Sequence, residues 1–224
     1  RRRFLDWGLF HVEQTFLPLW RRYARALKQR NALLKQGGAT EQLQAWEGEL
    51  AETGEQLTEA RRRYAGDLGE ELASMASRLS PGLEPLALEF SGGWREQDLS
   101  LADALLLAQE RDRAAGFTTV GPHRATWRLR SPRWPAGEAP SRGQAKLCAL
   151  ACLLAQGGHF HASRNEAPIF LLDDFAAELD NQHQQRLLDV LHGRGWQVFI
   201  TGAEAPRGLA GAEFARFDMA QGRL

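Results

Sequence analysis

The sequence predicts an α/β chain led by an antiparallel helical hairpin, and three observations carry that expectation. Apolar residues recur at intervals of three and four from Phe16 to Leu34 and again from Leu43 to Leu79, on either side of Gly37-Gly38, which is the spacing of two helices with one buried stripe each. Ile169-Phe170-Leu171-Leu172 is an unbroken apolar run, too short for a free-standing helix and suited to a strand buried on both faces of a parallel sheet. Two carboxylates, Asp173 and Asp174, follow it at once, and the carboxyl edge of a parallel sheet is where ligands bind.

Residues 4–36 read as one helix, with Phe16, Leu19, Trp20, Tyr23, Leu27, Asn31 and Leu34 on a common side and Arg21, Arg22, Arg25 and Lys28 on others. Gly37-Gly38 ends it. A second helix runs from about Thr40 to Leu79, in a rough seven-residue rhythm through Leu43, Trp46, Leu50, Leu57, Tyr64, Leu68, Leu72, Met75 and Leu79. A short glycine turn between two such stripes makes a hairpin that projects as an arm, and Ser80-Pro81-Gly82 stops it. Leu86, Leu88 and Phe90 alternate with Ala87 and Glu89 as in a strand, and 99–115 reads as helix. Short strands are expected at Phe117–Val120 and around Trp127 and Leu129, with the loop Gly121-Pro122-His123-Arg124 between them. A proline-rich loop over 131–140 precedes helix formers from Leu147 to Gln156, and a last helix leads to the strand Gln197–Thr201. The division expected is a helical arm over 1–115 and an α/β segment over 116–224.

At 224 residues and 43% hydrophobic content the chain can build a real core. Its 28 basic and 28 acidic side chains cancel, so total charge announces neither nucleic acid nor membrane. Their distribution is uneven: residues 1–30 hold eight Arg or Lys against Asp6 and Glu13, whereas residues 41–73 hold nine acids against Arg61, Arg62 and Arg63. One end can therefore present a basic face. Cys148 and Cys152 lie four apart in a helical pattern, which suits small core residues of a cytosolic protein and rules out a disulfide framework. No run reaches transmembrane length and no signal peptide is visible. The chain opens Arg-Arg-Arg-Phe without Met, as expected of a fragment or a processed product.

Ser141-Arg142-Gly143-Gln144 stands at the head of the Leu147–Gln156 helix. Ser141 suits an N-cap, the free N–H groups and dipole of a helix start attract anions, Gly143 lets a large ligand approach, and Gln144 can hydrogen-bond to it. An ordinary capped helix explains the string equally well in isolation. What selects between the two is order: capped S-x-G-Q helix, buried strand ending in Asp-Asp, then Glu178-Leu179-Asp180, a helix and a strand, the sequence of parts in ABC-type ATPases.

With FLDWGLFHVE, LKQRNALLK, TTVGPHRA, SRGQAK, IFLLDDFAAELDNQHQQRLLDVL and VFITG, that order resembles the RecF family of bacterial recombination mediators, relatives of the SMC-type ATPases, over nearly the whole chain. The resemblance implies the C-terminal part of an ABC/SMC-type P-loop ATPase head carrying a helical arm. It implies that Ser141, Arg142, Gly143 and Gln144 complete the nucleotide site of an opposite subunit in an ATP-bound homodimer. Asp173 matches the acid that holds Mg2+ through water, Asp174 the catalytic carboxylate that is Glu in most relatives, and Asp180 the acid at the dimer seam. Thr201 falls where many relatives place the residue before a γ-phosphate-sensing His, but Gly202 follows here. The shorter acid at Asp174 displaces the carboxylate by over ~1 Å, and such a misplacement costs about a hundredfold in rate, so slow hydrolysis and clamp-like behaviour are expected. No GxxxxGK[ST] phosphate loop occurs in the 224 residues, so nucleotide binding by this chain alone is expected to be poor, with the loop expected upstream. The resemblance further implies a cytoplasmic protein of DNA repair, replication restart and the SOS response that binds junctions of single- and double-stranded DNA. RecO and RecR are its implied partners in loading RecA at gaps.

Arg21, Arg22, Arg25 and Lys28, and separately Arg61, Arg62 and Arg63, are candidates for contact with a DNA backbone, a solvated helix face being the ordinary reading of such runs. His123 and Arg124 sit where the arm returns to the core, as a coupling element or a structural loop. His159 and His161 read as part of a polar linker, and the seven tryptophans as packing rather than base-stacking platforms. The rival function is a non-catalytic SMC-like interaction module acting through its helical arm.

Overall fold

The computed structural model describes residues 1–83, 85–134, 140–175, 179–204 and 214–219. Helices α1 (Arg2–Val12), α2 (Phe16–Gln36) and α3 (Thr40–Leu79) open the chain. The single helix expected over 4–36 is therefore two. Glu13 leaves helical geometry at φ −122°, ψ 105°, and Pro18 in the first turn of α2 lacks an N–H and crowds the carbonyl four residues back, so a helix can begin there but not run through. Gly37 closes α2 in the left-handed region at φ 69°, where a residue without Cβ fits.

At 40 residues, α3 is about 60 Å long by the helical rise, and the other helices described are laid along it. Its first half pairs with α2 as the expected hairpin. Its second half does not project: Leu57, Tyr64, Leu68, Leu72, Met75 and Leu79 are buried against α1, α4 (Leu101–Ala115), α5 (Arg142–Arg164) and α6 (Asn181–Gly193). One apolar cluster runs from Leu5 to Trp196. Each fully buried Leu contributes roughly 1.5–3 kcal/mol, and eleven of the cluster's buried side chains come from α3.

Strands β1 (Ala87–Ser91) and β2 (Thr126–Arg130) pair antiparallel, with Glu89 opposite Arg128. Arg128 and Arg130 both donate to the outward Glu89 at 2.8 Å, while Leu88, Phe90, Trp127 and Leu129 face the core. No strand forms at Phe117–Val120, contrary to the sequence reading. The segment is pinned by side chains instead: Thr118 donates its backbone N–H to Asn31 Oδ1 (2.8 Å), and Thr119 donates its own to Asp112 Oδ1 (2.9 Å). Arg30, wholly buried, supplies the countercharge, donating to Asp112 at 2.7 Å, Glu47 at 2.8 Å and Thr118 at 2.9 Å.

Helix α5 runs to Arg164 and is closed by Asn165 at φ 54°. His159 and His161 therefore lie within a helix, not a linker. His159 stands edge-on to Tyr64, ring centroids 4.9 Å apart. Cys148 and Cys152 are free and buried on one side of α5, and burial pushes the Cys152 thiol up to about 12. Strands β3 (Ile169–Leu172) and β4 (Gln197–Ile200) pair parallel, Leu172 beside Ile200. The expectation of burial on both faces fails: Phe170 and Leu172 face the core, but Leu171 is 75% exposed and Ile169 and Phe199 stand out with it. Helix α5 comes against one face only, where Gly157 leaves room for the Phe170 ring, and none of the described residues covers the other. The loop 135–139 and Glu178 of the motif lie outside the described residues.

Candidate functional site

The parallel register of β3 and β4 puts their next residues, Asp173 and Thr201, side by side at the carboxyl edge. Thr201 extends the ladder by donating its N–H to Leu172 O at 2.9 Å, and accepts at its own carbonyl from Phe175 N at 3.1 Å. Its hydroxyl spends its one proton on Asp173 Oδ1 at 2.5 Å and accepts the Asp174 N–H at 3.1 Å. Three residues named separately in the sequence thus form one hydrogen-bonded cluster across a separation of 28 positions. Both carboxylates are exposed. Asp174 sits at φ 47°, one of two non-glycine residues with positive φ among those described. That conformation costs of order 1 kcal/mol, persists only where the surroundings over-determine it, and clusters at functional positions. The contribution of Thr201 was legible only as a position on a loop, because the bonds that define it depend on strand register.

At the head of α5, Ser141 and Gln144 hold each other. Gln144 donates its backbone N–H to Ser141 Oγ (3.3 Å), and Ser141 donates its own to Gln144 Oε1 (2.9 Å), a reciprocal capping box. Arg142 and Gly143 are exposed, and a Cβ at Gly143 would meet nothing. No hydrogen bond or ion pair among the described residues links these four to Asp173 or Asp174. Asp180 caps α6, accepting from His183 N at 2.9 Å and pairing with His183 Nδ1 at 2.7 Å. The His183 backbone N–H, then its ring, holds the Asp180 carboxyl below its ordinary value.

The seven basic candidates separate sharply. Arg61 is withdrawn from any phosphate-contacting set: it is buried, grips Asp6 through Nε (2.7 Å) and Nη2 (2.9 Å), and donates Nη1 to Pro122 O at 2.8 Å. Arg62 is paired with Glu59 and Glu96, Arg63 with Glu13, and Arg22 with Glu49. Arg21, Arg25 and Lys28 are exposed and make no ion pair among the described residues.

His123 sits at the joint between these regions. A carbonyl can only accept, so Nε2 carries the proton donated to Thr118 O at 2.9 Å, and Nδ1 accepts from the Tyr23 hydroxyl at 2.7 Å. Burial lowers its pKa from 6.5; Arg124 and Arg2 push the same way, Asp112 the other. A ring whose folded pKa is lowered contributes stability that is complete above about 6.5 and is lost as pH falls through the lowered value. Urea midpoints should therefore drop between about pH 7 and pH 5, and His123→Gln should flatten that decline.

Comparison with known proteins gives the following likenesses. Residues 25–221 match the family model described as RecF/RecN/SMC N terminal domain. The chain is 57% identical over 209 residues to the DNA replication and repair protein RecF of Stenotrophomonas maltophilia (strain R551-3), covering 93% of this chain and 57% of that protein. It is 55% identical over 226 residues to the protein of the same name from Xanthomonas euvesicatoria pv. vesicatoria (strain 85-10), covering 100% and 61%. It thus spans about three fifths of the length of these curated relatives. Among solved structures it is similar to the recombination mediator protein RecF with ATP, of the RecFOR pathway, at TM-score 0.75 and 24% identity, covering 92% of this chain and 57% of that one. That likeness is one of fold.

Proposed function

Because the chain belongs to the RecF/RecN/SMC family, we propose that it is the signature and acid-pair portion of an ATP-dependent DNA-binding protein of recombinational repair and replication restart. The observation that carries the reading is the cluster at the carboxyl edge of β3 and β4, where Thr201 fixes Asp173 and Asp174 takes a left-handed backbone. An exposed pair of hard carboxylate oxygens fits a magnesium ion that keeps most of its waters and its phosphate ligands, since such sites need only one or two protein acids. Magnesium-bound ATP supplies the transferable phosphoryl group. Asp173, its Oδ1 engaged by Thr201, would hold the metal through water with its other oxygen, which makes Thr201 a positioning residue rather than a phosphate sensor. Asp174 orients and polarises the attacking water.

Ser141, Arg142, Gly143 and Gln144 serve the nucleotide of a second subunit, with Asp180 at the seam of an ATP-dependent homodimer. The exposed Arg142 and the open space at Gly143 support that role; the Ser141–Gln144 capping box holds the helix start ready for it. DNA, at junctions of single and double strand, lies along the arm over 1–115, with Arg21, Arg25 and Lys28 as phosphate contacts and Arg22, Arg62 and Arg63 joining only if they leave their carboxylates. RecR and RecO are the protein's partners, and through them RecA, in the cytoplasm. No helix among the described residues is long and apolar enough to cross a membrane.

The test is Asp174→Asn in the protein that presents this chain together with a phosphate-binding loop. ATP binding and dimerisation are expected to persist, while turnover falls by at least ~100-fold, the scale of a misplaced catalytic group. Unchanged turnover sinks the assignment of Asp174.

A further inference from the structure

The loop 92–100, which leads from β1 to α4, lies against the middle of α3 and leaves a cleft of about 480 Å³ beside it. The seat of the loop is tight: a Cβ at Gly92 would run into Glu96 Oε2 and lie 2.9 Å from the Thr58 methyl carbon. Glu96 is thereby held close to α3, its Oε2 2.6 Å from Arg62 Nη2. Trp94, half-buried, donates its ring N–H to Leu99 O at 3.1 Å, which fixes the indole as one wall of the cleft.

Four carboxylates, Glu55, Glu59, Glu96 and Asp98, line the cleft against one guanidinium, that of Arg62, which Glu59 and Glu96 already hold. Glu55 Oε1 accepts the Leu101 N–H at 2.8 Å, and neither Glu55 nor Asp98 makes an ion pair among the described residues. A face of acids is ordinarily just solvated, and Thr58 is what departs from that. It is 1% exposed and lines the cleft, yet its hydroxyl has no hydrogen-bond partner among the described residues. Thr53 on the same helix, by contrast, donates to Glu49 O at 2.5 Å. A hydroxyl buried without a partner is costly, and a donor brought into the cleft relieves that cost. No three acids among the described residues stand where they could hold a metal ion, and four carboxylates repel phosphate. A guanidinium suits what is left: it brings five N–H donors in one plane to the free oxygens, and a flat, weakly hydrated face to the indole.

A neighbouring depression of about 610 Å³ shares Glu55 and Glu59 with the cleft and is walled by Pro18, Leu19 and Ala60, with Arg22 and Arg63 against its acids. A free cation fills only the first hollow; a peptide that carries an arginine beside an apolar residue fills both. We infer that the cleft between α3 and the 92–100 loop receives an arginine side chain from a peptide segment of a partner protein. The guanidinium lies against Trp94 with Glu55, Asp98 and Thr58 as its acceptors, and an apolar neighbour sits on Pro18 and Leu19. The inference does not rest on the nucleotide or the DNA reading and assigns this face to neither.

The test is fluorescence anisotropy of the chain with a labelled peptide amide, Ala-Leu-Ala-Arg-Ala-Leu-Ala, and with its citrulline counterpart, which keeps the shape of the side chain and loses the charge. Saturable binding is expected, weakened ~10-fold or more by citrulline and by Glu55→Gln/Asp98→Asn, the loss of a charge-assisted hydrogen bond. Thr58→Val, which keeps every charge, is expected to weaken it ~3-fold and to leave Tm unchanged or raised. That variant decides the matter if the acid variants lose their far-ultraviolet helix signal. Glu41→Gln/Glu70→Gln removes the same charge from exposed positions elsewhere on α3 and is expected to leave binding as it was. Equal losses from the two acid pairs overturn the inference, because the peptide then responds to net charge alone. So does equal affinity for the citrulline peptide, wild-type binding by Thr58→Val, or no saturation by ~1 mM peptide. Agmatine that displaces the peptide at equal concentration gives the cleft to a free cation, and a dimer seen by sedimentation that Glu55→Gln/Asp98→Asn abolishes gives it to a second copy; either overturns the inference.

Discussion

Arg30→Ala should destabilise the chain by roughly 3–5 kcal/mol, the cost of leaving buried carboxylates without their cation. The guanidinium is fully enclosed and serves Asp112, itself fully buried, together with Glu47 and Thr118. Asp112 in turn holds both polar groups of Thr119, and Asn31 holds both of Thr118. Removing Arg30 therefore loosens four elements at once: α2, α3, α4 and the 117–120 segment. The measurement is a urea titration, where the midpoint falls at constant slope if the fold is otherwise kept. A double-mutant cycle with Asp112→Ala should give a combined loss well below the sum, because each single variant already strands the other partner. Additive losses would mean that the pair is not the unit of stabilisation.

Arg61→Ala is expected to cost roughly 3 kcal/mol or more, since it strands the buried Asp6 and removes the donor to Pro122 O. For a chain of this size that lowers Tm by about 6–12 °C. Arg63→Ala, two residues on and largely exposed, should leave Tm nearly unchanged. The contrast also separates stability from binding. Arg61→Ala should leave the salt dependence of DNA binding at its original slope, because that side chain neutralises a carboxylate and no phosphate.

Arg61 reads in the sequence as a surface charge for a DNA backbone, although the helical spacing contains the correction for it and marks Arg30 in the same way. Arg61 follows Leu57 by four and precedes Tyr64 and Leu68 by three and seven, so it occupies the apolar stripe of α3; Arg30 stands likewise between Tyr23 and Leu34 on α2. A basic residue inside an apolar stripe signals a buried ion pair, and its acid is then sought on another element. Pro18 likewise marks the break between α1 and α2. Local chemistry made the hairpin turn at Gly37, the helix α4 to within two residues, and the strands β3 and β4 readable.

What stayed hidden depends on partners distant in sequence. Phe117–Val120 has strand composition, yet Asn31 and Asp112 satisfy its backbone groups before another strand can. The Thr201 bridge to Asp173 exists only once β3 and β4 fix their register. Exposure at Leu171 and Trp7 reflects which helices pack where, and a count of apolar residues carries no such information.

Helix α3 is a single uninterrupted helix from the hairpin turn to Leu79. At one end it is clasped by α2, and at the other by the helices that flank the acid-bearing strands. Mechanically it is one rigid rod joining the hairpin turn to the packed end near Leu79. With no hinge along its length, a tilt of about 5° at the packed end carries the tip by about 5 Å, the length of one helical turn. A displacement too small to break the contacts around Leu72 and Met75 is thus amplified to several ångströms at the hairpin turn.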